Sequence, residues 1–219
     1  AVGGSLRLSP QLEIPRYVAS LDVHLVPGGF AMEHTADDVA QGAVVAFGGK
    51  VFTGEHPYRK RPGAVGESVG QWVRRKWPGF APRRILDLGT SSGKNLLPYH
   101  TAFPQAELHG IDVGAPLLRF GHAQAEHEGV AVHFSQQNAE ATDFKTGSFD
   151  LVVSHIVLHE TSKSALVRIM AECHRLLRPG GMMLHLEIPR GKTVMEKFMH
   201  NWESYNNNET FCRYMTDID

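Results

Sequence analysis

The sequence predicts an α/β fold, a doubly wound and mainly parallel sheet with helices on both faces. Three observations carry this. Short apolar runs rich in branched residues alternate with amphipathic stretches from residue 64 to residue 188. Glycine or proline punctuates the helical stretches before the next run begins, as helix stops do. The acidic and glycine-rich segments follow the runs directly, at the carboxyl ends where such sheets hold ligands.

Residues 1–63 read as an N-terminal extension outside this alternation. Within it, Leu21–Val26 suggests a short strand stopped by Pro27, Gly28 and Gly29, and Ala43–Phe52 suggests a β-hairpin turning at Gly48 and Gly49. The extension is expected to pack over the core and help close a substrate pocket. A core of residues 64–188 opens with a helix over Ala64–Trp77, where Val65, Val69, Trp72 and Val73 recur at helical spacing. Strands are expected at Arg84–Leu88, Glu107–Ile111, Ala131–Phe134, Phe149–Val153 and Met182–Ile188. Between them fall helices over Lys94–Phe103, Pro116–Glu128 capped by Gly129, and Lys163–Leu177, which the sequence LRPGG turns into the last strand. Residues 189–219 hold one more helix, Val194–Tyr205.

Composition narrows the function. A chain of 219 residues holds one sizeable core and an elaboration. Its 22 basic and 23 acidic residues leave a formal charge of -1, which speaks against the basic field that nucleic acid requires. The basic runs Arg59-Lys60-Arg61 and Arg74-Arg75-Lys76 read as solvated faces. Cys173 and Cys212 lack metal-like spacing and fit a reduced, cytoplasmic protein. No run is long and apolar enough to span a bilayer, so no membrane partner is expected; a homodimer is compatible with the sequence.

The most informative stretch is RILDLGTSSGKN, Arg84 to Asn95. Gly89 and Gly93 with small residues between them allow a tight turn close to a ligand. Asp87 would repel a pyrophosphate there, so the ligand is uncharged or cationic at that point. Asp112, about twenty residues beyond the turn at the end of the second strand, is placed to accept ribose hydroxyls or to cap a helix. Later come FDLVVS, Phe149–Ser154, and LRPGG, Leu177–Gly181.

DLGTSSG resembles the DxGxGxG first motif of class I S-adenosylmethionine-dependent methyltransferases, with Ser91 in place of the middle glycine; FDLVVS and LRPGG resemble later parts of the same Rossmann-like superfamily. The resemblance implies S-adenosylmethionine as cofactor. It places Asp87, Gly89, Thr90, Ser91, Gly93 and Asn95 in the first loop, and Asp112 with Val113 at the ribose. It puts Asn138, Ala139 and Glu140 beside adenine, and Ser154 with His155 beside the methionine part. Such cores normally close with a strand hairpin that residues 189–219 do not show, so a truncated chain is expected.

His155 and His159 stand four apart in HIVLHE, a spacing that invites a metal. No third ligand follows at a persuasive spacing, so no metal is expected. Each is instead a candidate general base or a structural histidine. His24, Asn206, Asn207 and Glu209 are the candidates for substrate binding, with surface turns as the alternative for the asparagines. The function expected is methyl transfer to a small-molecule acceptor. Alternatives are a non-catalytic nucleoside-binding module and a partner-dependent RNA or protein methyltransferase.

Overall fold

The computed structural model describes residues 2–52, 65–188 and 191–211. Six strands form one sheet: β1 (Ser5–Arg7), β2 (Arg84–Leu88), β3 (Glu107–Asp112), β4 (Val132–Gln136), β5 (Phe149–His155) and β6 (Leu177–Leu186). Their order is β1-β4-β3-β2-β5-β6, and every pair is parallel. The helices are α1 (Arg16–Ala19), α2 (Ala40–Phe52), α3 (Val65–Lys76), α4 (Tyr99–Ala102), α5 (Ala115–Glu128), α6 (Lys163–Leu176) and α7 (Val194–Asn206). Among the described residues no helix is long and apolar enough to cross a membrane.

Alternation along each strand divides the core into two layers. Ile85, Leu151 and Val153 pack with Val73, Tyr99 and Leu118 of the helices on one face. Leu86, Leu88 and Val152 pack with Ile169, Cys173 and Leu176 of α6 on the other. Strands buried on both faces, with helices covering each, make the doubly wound arrangement expected from the sequence. Buried Asp150 ties strand starts together: its Oδ2 accepts the amides of Arg83 and Arg84, both at 2.7 Å, and it pairs with Arg178 at the start of β6.

Four expectations need correction. The glycine-paired segment Ala43–Phe52 is not a hairpin but belongs to α2, which packs against α5. A Cβ at Gly42 would stand 2.3 Å from the Cβ of Phe120, so glycine permits close helix packing there. Phe47 meets Phe120 edge to face, and such contacts outweigh the weak helix propensity of glycine. The segment Leu21–Val26 is no strand, because His24 and Leu25 take left-handed φ of 55° and 57° around a 3-10 turn, Val23–Leu25. The helix expected over Lys94–Phe103 shortens to α4, since consecutive turns follow Gly93 and Pro98 has no amide to donate. Strand character extends through LRPGG from Leu177, with an irregular register opposite Phe149 to Leu151.

The N-terminal extension also contributes to the sheet. Ser5–Arg7 pair with His133–Ser135 and cover the outer edge of β4. Arg7 grips Asp143 with both terminal nitrogens, at 2.5 and 2.9 Å.

The loop after β4 is anchored from α6. Glu172 Oε1 accepts the amide and hydroxyl of Thr142 at 2.8 and 2.6 Å, while Arg175 braces the same carboxylate. Burial would raise this carboxyl, but bonds from Arg175 and Thr142 outweigh it and hold it near about 2. A carboxyl depressed on folding stabilises above its unfolded pKa and loses that contribution as pH falls through the folded value. Glu172→Gln should cost roughly 1–3 kcal/mol at neutral pH. In urea denaturation, the gap from the parent protein should narrow between about pH 5 and about pH 2.

Candidate active site

Asp87, one residue before the end of the buried run of β2, is 2% exposed. Its Oδ2 accepts from Thr90 Oγ1 at 2.8 Å, and its Oδ1 lies 3.1 Å from His155 Nδ1. The other ring nitrogen of His155 lies 3.1 Å from the hydroxyl of buried Tyr99. One carboxylate thus fixes the turn after β2, the end of β5 and the start of α4.

Gly89 has a φ of 60°, and a Cβ there would meet Val157 Cγ1 at 2.6 Å. Ser91, at the middle glycine of the motif, also holds a left-handed φ, 52°. That conformation favours glycine and costs a serine on the order of 1 kcal/mol. The Ser91 amide donates to Asp112 Oδ2 at 2.9 Å, while Asp112 Oδ1 accepts the Gly114 amide at 2.9 Å. Asp112 is therefore both a loop anchor and an N-terminal brace for α5; burial raises its carboxyl pKa, moderated by those amides.

These groups wall a pocket of about 580 Å³ at the carboxyl ends of the strands. Asp87, Gly89, Thr90, Ser91, Asn95, Asp112, Val113, Asn138, Ala139 and His155 line it, as do His24, His159 and Glu209. Other candidates do not. Gly93 sits beneath, where a Cβ would press on Phe134 and Leu97. Ser154 is fully buried with its hydroxyl 2.8 Å from His185 Nδ1. Glu140 is drawn away by Tyr17 at 3.0 Å and by Arg168. Asn206 and Asn207 lie outside the lining; Asn207 instead accepts the His24 amide through its carbonyl at 2.7 Å. Asn138 lines the pocket, but its Oδ1 accepts the Glu140 amide at 2.9 Å and closes a local turn.

The far side of the pocket comes from distant chain segments. Tyr17, Phe30 and Val45 of the extension line it, as does Glu160 in the 3-10 turn Leu158–Glu160. The hairpin signal of Gly48 and Gly49 hides the contribution of Val45, which lies on a helix in the structure. Glu187, just beyond β6, accepts the amides of Val157 and Leu158 at 2.9 and 2.6 Å. It also lies 2.8 Å from His159 Nδ1. Burial would lower His159, but hydrogen bonds to Glu160 and Glu187 and their charges overcome it and push the imidazole up to about 10. At neutral pH His159 is consequently a buried cation. A base must begin unprotonated, so this environment suits charge balance instead.

Residues 85–181 match the family model described as a methyltransferase domain. Over this stretch the chain resembles a class I S-adenosylmethionine-dependent methyltransferase domain. A demethylmenaquinone methyltransferase of Thermus thermophilus is 36% identical over 109 residues, covering 50% of this chain and 49% of that protein. A ubiquinone biosynthesis O-methyltransferase of Pseudomonas aeruginosa is 32% identical over 120 residues, covering 54% and 50%. The chain spans about half the length of these curated relatives. In fold, it resembles phosphoethanolamine N-methyltransferase 2 of Haemonchus contortus, at 19% identity and a TM-score of 0.57, over 78% of this chain and 40% of that one. A protein of Methanococcus maripaludis assigned to the S-adenosyl-L-methionine-dependent methyltransferases aligns over 85% and 79%, with a TM-score of 0.57 and 10% identity. S-Adenosylmethionine is the cofactor of such domains, and the cradle fits it. The buried Ser91 Oγ has no hydrogen-bond partner within the protein, and the Gly89 backbone comes close to the pocket without a side chain.

The Asp87–His155–Tyr99 chain should have graded energetics. Tyr99→Phe removes one hydroxyl and should cost about 1 kcal/mol. His155→Phe leaves a buried carboxylate short of a partner and should cost roughly 3–5 kcal/mol. Urea unfolding midpoints of the two variants would check the order.

Proposed function

We propose that the protein transfers the methyl group of S-adenosylmethionine to a small-molecule acceptor. The observation that carries this reading is one continuous pocket with two kinds of wall. Asp87, Gly89, Asp112 and Asn138 border one side, while His24, Phe30, His159 and Glu209 border another. The relatives named for menaquinone and ubiquinone biosynthesis support a small-molecule acceptor.

In this reading Asp112 accepts the ribose hydroxyls with lone pairs left free by the two amides. Ala139 and Asn138 border adenine, and the turn at Gly89 receives the methionine part. Asp87 and His155 position that turn from below. The sulfonium is already a good leaving group, so the protein's main task is to align nucleophile, methyl carbon and sulfur and to exclude water. The apolar walls Phe30, Val45 and Val157 serve that exclusion.

Calorimetric titration should give one S-adenosylmethionine site per chain. Asp112→Asn preserves shape but removes the charged acceptor, and should weaken binding about tenfold, or about 1.4 kcal/mol. No heat from the parent protein would defeat the proposal. Formation of S-adenosylhomocysteine with phenolic or amine acceptors, followed by mass spectrometry, tests transfer itself.

A further inference from the structure

Three metal-binding side chains from remote parts of the chain meet in the far wall of the pocket. They are His24 in the turn Val23–Leu25, Glu160 in the turn Leu158–Glu160, and Glu209 after α7. One donor atom from each lies within 4.8 Å of those of the other two. His24 Nε2 is 3.4 Å from Glu160 Oε1, and its Nδ1 is 3.4 Å from Glu209 Oε1. These contacts are longer than good N–H···O bonds, which cluster at about 2.9–3.0 Å. The two carboxylates approach opposite nitrogens of the ring, so an ion held by all three residues takes one imidazole nitrogen and one oxygen from each carboxylate.

Two further observations call for a cation. The Oε2 atom of Glu160 is buried and has no hydrogen-bond partner. A buried carboxylate oxygen without a partner is costly unless a positive charge lies beside it. Glu209, the third donor, is itself only 6% exposed. The dyad behind the cluster has the form of an outer shell: Glu187 holds His159 Nδ1, and His159 Nε2 lies 3.4 Å from Glu160 Oε1.

We propose that His24, Glu160 and Glu209 bind a divalent first-row transition ion, zinc or manganese, whose open coordination position faces the pocket. One imidazole and two carboxylates form a donor set suited to either ion, and three protein ligands leave a place for another. The use of that place rests on the methyl-transfer reading. An acceptor hydroxyl bound there loses its proton to solvent. Its oxygen then forms a bond to the methyl carbon as the carbon–sulfur bond breaks, and the electron pair stays on sulfur to give the neutral thioether.

The test needs no cofactor. Protein stripped with a chelator is titrated with Mn2+, followed by electron paramagnetic resonance, and separately with Zn2+, followed by calorimetry. At least one ion should bind at one equivalent, and both Glu209→Gln and His24→Ala should weaken that site at least tenfold while keeping the parent's circular dichroism. Glu209→Gln is nearly isosteric, so it reports on the site even if His24→Ala fails to fold. Failure of both ions to bind, or a one-equivalent site unchanged in Glu209→Gln, would overturn the inference. S-Adenosylmethionine titrated into the same preparation separates this from failure of the cofactor reading.

Discussion

The site depends on a carboxylate buried at the end of the central strand. Asp87 lies between β3 and β5 neighbours in a parallel sheet, where water cannot solvate it. A buried carboxylate demands hydrogen bonds, and the groups that satisfy this one are the functional parts of the fold. Thr90 shapes the turn that follows, while His155 links the carboxylate to the end of β5 and onward to Tyr99. The polar cost of burying one acid is thereby turned into fixed geometry at the floor of the pocket. Asp112 repeats the device one strand away, gripping the amide of Ser91 and the first turn of α5.

The histidines divide according to what surrounds them. His155 is a spacer between an acid and a phenol, with both nitrogens engaged. His159 lies between Glu160 and Glu187, whose charges keep its proton on. Similar position in sequence does not give them similar chemistry, because the residues that decide it come from other segments. His24 meets carboxylates 136 and 185 positions away in the sequence, Glu160 and Glu209.

Convergence of this kind also explains the role of the extension and of the segment after α7. The extension adds β1 to the sheet edge, then crosses back so that Tyr17, Phe30 and Val45 face the pocket. The segment after α7 meets it there: the Asn207 carbonyl accepts the His24 amide, and Asn208 Nδ2 donates to the Asp22 carbonyl at 3.4 Å. These two segments, fixed to each other, close one side of the cavity.

The sequence by itself determined the doubly wound core and one wall of its pocket. Strands buried on both faces leave a continuous apolar signature, and the turn at Gly89 and the acid at Asp112 lie at fixed, local distances from them. Both features are written within a few residues, so both are legible without the fold. The glycine pair in α2 misled because its helical state depends on packing against Phe120 of α5, which lies far along the chain. Only the tertiary structure decided that β1 joins the sheet, that Glu140 is drawn away to Arg168, and that His24, Glu160 and Glu209 share one corner. Each of these outcomes rests on contacts between segments more than twenty residues apart, where local periodicity carries no information.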